Sequence, residues 1–132
     1  VITDGMVGYC FHKKMIDLVM VGADRILSDG HVVNKIGTRT IAITAKFHSV
    51  PFYVVAPLST FDLKSRMDEV IIEERPAREI REIAGYKIVP EGTPVLNPAF
   101  DITPPDLITA IVTEKGIIRP PFKKNIPKLA NK

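Results

Sequence analysis

Polar breaks divide the apolar positions of this chain into short runs of two different periods. Leu18-Val19-Met20-Val21 and Phe52-Tyr53-Val54-Val55-Ala56 are continuous and apolar. This is the pattern of strands buried on both faces in a parallel sheet, and Pro57 stops the second. Other runs recur at helical spacing. Val7, Phe11 and Met15 predict a helix over roughly Gly5 to Lys14, with Asp4 able to cap it. Ile36, Thr40, Ile43 and Phe47 share one face of a second helix expected over Lys35 to His48. Val1 to Thr3 reads as a short strand, Ser28-Asp29-Gly30 as a turn, and Ile117-Ile118 as a last short strand.

The second half is read from its punctuation. "RPAREIREIAG" predicts a short helix with Pro76 near its start and Gly85 at its end. "TPPDLITAIVTEKG" predicts another, with Thr103 as cap, Pro104 in the first helical position, Asp106 closing a capping box and Gly116 as terminator. "RPPFKKNIPKLANK" reads as a Pro- and Lys-rich tail with little reason to be ordered alone. Alternating strands and helices give an α/β fold class: a Rossmann-like, mostly parallel sheet with helices on both faces. Residues 1–121 form the domain and 122–132 the basic tail. The start "VITDG" lacks a methionine and reads as a strand end cut from something longer.

The length of 132 residues suits one domain with a real core. The net charge of +3 is scattered; its nearest approach to a cluster is Lys123, Lys124, Lys128 and Lys132, a solvated end. Without a platform of exposed aromatics, no nucleic-acid partner is expected. No apolar run approaches the roughly 20 residues that span a bilayer, so no membrane partner is expected either. The single cysteine, Cys10, excludes an internal disulfide and fits a cytoplasmic location. His12, His31 and His48 have no ligand spacing, so no metal is expected.

Ligands of open α/β sheets bind beyond the carboxyl ends of the strands. Asp24 follows the first buried strand there, and Ser59-Thr60 follows the next. Asn34 and Lys35 fall at the expected start of a helix, where unpaired N–H groups and a lysine charge would favour an anion such as a phosphorylated sugar. A partly buried carboxylate beside such a guest could transfer protons. Gly22, Gly30 and Gly37 would permit close backbone approach. Each signal has a plainer counterpart: Asp24 as a cap or an Arg partner, Asn34 and Lys35 as an ordinary helix start. With neither a P-loop nor a Gly-x-Gly-x-x-Gly, no nucleotide cofactor is expected.

Four stretches in order, "VGADRILSDGHVVNKIGT", "PFYVVAPLSTFD", "IIEERP" and "NPAFDITPPDLITAIVTEKGIIRPP", resemble the methylthioribose-1-phosphate isomerases of the initiation factor 2B α/β/δ family. The resemblance covers nearly the whole chain but only the C-terminal domain of that family. It implies an aldose–ketose isomerase of methionine salvage, acting on a phosphorylated pentose without metal or cofactor. It assigns Asp24 as the catalytic proton donor and Asn34 and Lys35 as substrate-binding. It places the second catalytic cysteine and a phosphate-binding Arg-Gly-Ala segment in an N-terminal domain outside this sequence, so Cys10 is not that cysteine and these residues alone should be inactive. It also implies a homodimer. Gly5 stands where the isomerases often carry Asn, and His31 where Asp is frequent; His31 near the site would alter a pH profile, whereas on the surface it would not. Glu73-Glu74-Arg75 is a family signature whose plain reading is a solvated or ion-paired loop. The related alternatives are a non-catalytic initiation factor 2B-type subunit, in which the Asp and the Asn-Lys pair tend to be lost, and a ribose-1,5-bisphosphate isomerase.

Overall fold

A computed structural model describes residues 1–130. The strands are β1 (Val19–Val21), β2 (Arg25–Leu27), β3 (Val32–Lys35), β4 (Phe52–Val55), β5 (Phe61–Asp62), β6 (Glu82–Ile83), β7 (Tyr86–Lys87), β8 (Phe100–Thr103), β9 (Ala110–Thr113) and β10 (Gly116–Ile118). The helices are α1 (Val7–His12), α2 (Thr38–Phe47), α3 (Arg78–Arg81) and α4 (Phe122–Ala130).

The α/β class holds, with two main sheets. The first runs β1-β4-β9-β10, with β1, β4 and β9 parallel and β10 returning antiparallel. The second runs β5-β2-β3-β8; β2–β3 and β3–β8 are antiparallel and β2–β5 parallel. The core draws on both: Phe52, Val54 and Ile111 from the first, Ile26 and Val32 from the second, and Ala42, Ala45, Phe122 and Ile126 from the helices. Fully burying a side chain the size of Phe or Ile contributes roughly 1.5–3 kcal/mol.

Several elements differ from the sequence expectation. The stretch 103–116 is not a helix. Its capping signature is spent on one 3-10 turn, Pro105–Leu107, after which the β-branched run continues as β9. Gly116, at φ 130°, then opens β10 beyond a two-residue turn. The helix expected to end at Gly85 is the single turn α3; Ala84 and Gly85, at φ 51° and 84°, instead make the tight turn of the β6–β7 hairpin. No strand forms at Val1–Thr3, and α1 begins only after a 3-10 turn at Asp4–Met6 whose cap residue is Thr3.

The second helix starts at Thr38 rather than Lys35, because Gly37 at φ 102° breaks the chain between β3 and α2. The face carrying Ile36, Thr40, Ile43 and Phe47 points outward, and the small residues Ala42 and Ala45 face the core. Residues 122–130 are no loose tail. Phe122, Ile126 and Leu129 lie at i, i+4 and i+7 on α4; the first two are buried and Leu129 packs against the same core. Asn131 and Lys132 lie outside the described residues.

Candidate functional site

The carboxyl ends of β1, β4 and β9 lie along one edge of the first sheet, since the three strands are parallel. From Val21 the chain passes through Gly22-Ala23 to Asp24 and enters the second sheet. The Asp24 amide donates to the Val33 carbonyl at 2.9 Å, and Arg25 pairs with Val33 in the β2–β3 register. Asp24 therefore sits beside the Val33–Asn34 backbone, at the open end of the hairpin. Two of the three residues singled out by sequence are brought together here.

Asp24 is exposed, so the partial burial expected of it is not present. Its plainer reading as a structural partner also fails. Arg25 pairs instead with Asp62, at 3.6 Å, and among the described residues no hydrogen bond or ion pair reaches the Asp24 carboxylate. Asp62 is held by its own loop. Hydrogen bonds from the Ser65 side chain and from the Ser65 and Lys64 amides, helped by the Arg25 charge, lower its carboxyl to about 2.

Asn34 is half-buried, and its Nδ2 donates to Thr38 Oγ1 at 3.0 Å. The buried Thr38 hydroxyl donates in turn to the Lys35 carbonyl at 2.7 Å. Successive strand residues point to opposite faces, so Lys35 leaves β3 on the other side from Asn34. It is exposed. Its charge acts weakly on Glu79, whose carboxyl is held low mainly by the Arg75 hydrogen bond, with Asn97 and then the charges of Arg75 and Lys35 adding to it.

Asn34 and Lys35 belong to the end of a strand, not to a helix start. The N-terminus of α2 offers no open anion seat either. The Asp101 carboxylate, reaching over from β8, accepts from the Gly37 amide at 2.9 Å and the Arg39 amide at 3.1 Å. Glu114 plays a similar part at the 3-10 turn after β4, accepting from the Leu58 amide at 3.0 Å and leaving Ser59 and Thr60 to lead into β5. Sequence reasoning missed both carboxylates. Each lies more than fifty residues from the amides it serves, and no local pattern records such a pairing.

His31 is not at the site. It lies at the closed end of the β2–β3 hairpin, where its amide donates to Asp29 Oδ1 at 3.1 Å and its Nδ1 stands 2.9 Å from Asp29 Oδ2. Burial pushes the Asp29 carboxyl up, but the hydrogen bonds and charge of His31 outweigh it and hold it below the ordinary value. Glu73-Glu74-Arg75 is the ion-paired clamp of the plain reading. Arg75 donates to Glu79 from Nε and Nη2, and the Glu74 carboxylate accepts from the Asn97 amide. Backbone bonds from Ala99 to Glu73 and from Arg75 to Asn97 tie this segment to the start of β8. Cys10 is a free cysteine buried in α1. Among the described residues no group of three or more His, Cys, Asp or Glu could hold a metal ion, and no helix is long and apolar enough to cross a membrane.

The profile of the Initiation factor 2 subunit family matches residues 1–120. A Thermotoga neapolitana protein named methylthioribose-1-phosphate isomerase is 56% identical over 131 residues, which are 98% of this chain and 38% of that protein. Among solved structures, translation initiation factor eIF-2B subunit delta from A. fulgidus superposes with a TM-score of 0.95 at 49% identity, over 99% of this chain and 38% of the other. The 5-methylthioribose 1-phosphate isomerase of Pyrococcus horikoshii OT3 also superposes with a TM-score of 0.95, at 41% identity, over 98% of this chain and 36% of the other. The chain spans little more than a third of the length of the curated relatives it matches.

Proposed function

The chain belongs to the Initiation factor 2 subunit family, and from that premise we propose that it supplies half of the active site of an aldose–ketose isomerase acting on 5-methylthioribose 1-phosphate. In this reading Asp24 is the proton donor, and Asn34 and Lys35 bind the phosphorylated sugar. The remainder of the site, a cysteine and a phosphate-binding segment, comes from a preceding domain of the same polypeptide. The working protein is a cytoplasmic homodimer.

The observation that carries the reading is the state of Asp24. Its neighbour Arg25 is committed to Asp62, while the Asp24 carboxylate has no protein partner among the described residues and stands beside Asn34. Water satisfies any exposed carboxylate, so what supports the role is position: this one stands beside Asn34 at the open end of the hairpin, uncommitted to Arg25 and open to a sugar bound there. With the anomeric carbon of the sugar blocked by phosphate, simple mutarotation cannot open the ring, and one route is a proton delivered to the ring oxygen, which a positioned carboxylic acid can supply. A closing substrate or domain would provide the desolvation that the exposed group lacks.

One observation favours a second reading. The structure similar at 49% identity is that of an initiation factor subunit, a likeness that would make this chain a non-catalytic, regulatory one. Against it stands the retention of Asp24, Asn34 and Lys35 together. The test is to incubate the full-length gene product carrying these residues with 5-methylthioribose 1-phosphate and follow the ketose by NMR. Turnover is expected. Turnover of ribose 1,5-bisphosphate alone would move the assignment to the related isomerase, and inertness toward both would favour the regulatory subunit.

A further inference from the structure

The segment from Asn34 to Arg39 reverses the chain from β3 into α2 with only Ile36 and Gly37 between the two elements. Gly37 sits at φ 102°, a conformation that favours glycine, and a side chain there would stand 3.4 Å from the Asp4 carboxylate. A reversal this short leaves the first amides of the helix without partners inside the helix. No side chain at the start of α2 caps them. Asp101 does so from a different strand.

Asp101 lies directly opposite Asn34 in the β3–β8 register. Its Oδ2 accepts from the Gly37 amide at 2.9 Å, and both carboxylate oxygens lie 3.1 Å from the Arg39 amide. The Arg39 guanidinium returns along the same strand and donates to the Ile102 carbonyl at 3.1 Å. On the near side, the Thr38 hydroxyl donates to the Lys35 carbonyl and receives the Asn34 amide group. The orientation of Asn34 and the exit of Lys35 therefore depend on where Thr38 sits. Thr38 lies between the two amides that Asp101 holds.

We propose that Asp101 is a positioning residue for the pair Asn34 and Lys35, acting through the amides of Gly37 and Arg39 and the hydroxyl of Thr38. The proposal rests on the substrate-binding role given to that pair above. It has an electrostatic corollary. The partial positive charge of the α2 N-terminus is already matched by Asp101, so the attraction this turn offers a phosphorylated ligand is that of Lys35 and not of the helix.

The test compares the full-length gene product with Asp101→Ala and Asp101→Asn by two readouts. In steady-state kinetics, loss of positioning at a binding pair raises KM, by about tenfold or more for Asp101→Ala, with kcat nearly unchanged. Asp101→Asn, which keeps one acceptor oxygen, is expected to recover part of the loss. A merely structural role would instead lower kcat with the folded fraction and leave KM alone, and that result would overturn the proposal. The second readout is the NMR signal of the Asn34 side-chain amide and of the Gly37 and Arg39 backbone amides. All three are expected to shift in both variants, whereas an unmoved Asn34 signal would overturn the proposal. A parent that turns over no sugar phosphate would sink the isomerase reading, and the Asn34 signal would still decide for or against Asp101.

Discussion

Residues 24–39 bury Ile26, Leu27, Val32, Val33 and Thr38, while the Asn34 side chain and the Gly37 amide bond to fixed partners on α2 and β8. Across residues 63–96, by contrast, not one residue is buried. Ile71, Tyr86 and Leu96 stand more than three-quarters exposed, and a two-strand hairpin projects with little beneath it. A lone hairpin of this kind is marginal in water. What holds the long segment is polar: the Arg75–Glu79 contacts, the Glu74–Asn97 bond and two backbone bonds to the start of β8. The difference separates two ways of presenting functional groups. The hairpin end fixes Asp24 and Asn34 on a packed scaffold, as the reacting role proposed for Asp24 would require. The 63–96 excursion is tied to that scaffold chiefly through polar contacts of residues 73–79 with one another and with Asn97 and Ala99 just before β8.

The contrast can be broken at the scaffold first. Gly30, at φ 95°, lies against α4 so closely that an added Cβ would come within 2.6 Å of Phe122 Cβ. Gly30→Ala should therefore push α4 from the hairpin and cost about 1–3 kcal/mol, read as a lower urea midpoint. An unchanged midpoint would mean that α4 is not seated as described. A smaller effect comes from Asp62, which ties β5 and its loop beside Arg25. Its carboxyl is lowered from 3.8 to about 2, so its contribution to stability is complete above pH 3.8 and is lost as the pH falls through about 2. The stability gap between the parent and Asp62→Asn should be flat from pH 7 to 5 and close toward pH 2. The smallest effect is expected in the excursion. Arg75→Gln removes an exposed ion pair that solvent screens. Global stability should hardly change, while cleavage by trypsin within residues 63–96 accelerates. A large drop in global stability would erase the distinction between the two regions.

The strands at Val19–Val21 and Phe52–Val55 were legible from their continuous apolar runs, although the two-faced burial expected of such runs is not what forms: Met20 and Val55 are exposed, and only Phe52 and Val54 are buried. The stretch 103–116 was not, because a Thr-Pro-Pro-Asp start is the same for a 3-10 turn as for a helix, and only the pairing of Ala110 with Tyr53 decides between them. The α4 stripe of Phe122, Ile126 and Leu129 was present in the sequence but hidden under a composition rich in Pro and Lys. Of the site, Asp24 could be placed at a strand end from sequence, whereas Asn34 and Lys35 were expected at a helix start and instead end β3, because the left-handed Gly37 delays the helix to Thr38. What could not be read is why that turn holds. Asp101 is more than sixty residues away, and its register opposite Asn34 exists only once β3 and β8 pair.

The proposed function depends most on Asp24, an exposed carboxyl beside Asn34 to which the role of proton donor is given. The direct measurement is the rate of ketose formation from 5-methylthioribose 1-phosphate by the full-length gene product and its Asp24→Asn variant, with urea midpoints measured on both. Loss of a positioned acid should lower kcat by about 10²–10⁴-fold. Because the Asp24 carboxylate has no partner among the described residues, the midpoint should not move. A variant that keeps its rate, or one that loses it only by unfolding, would contradict the account.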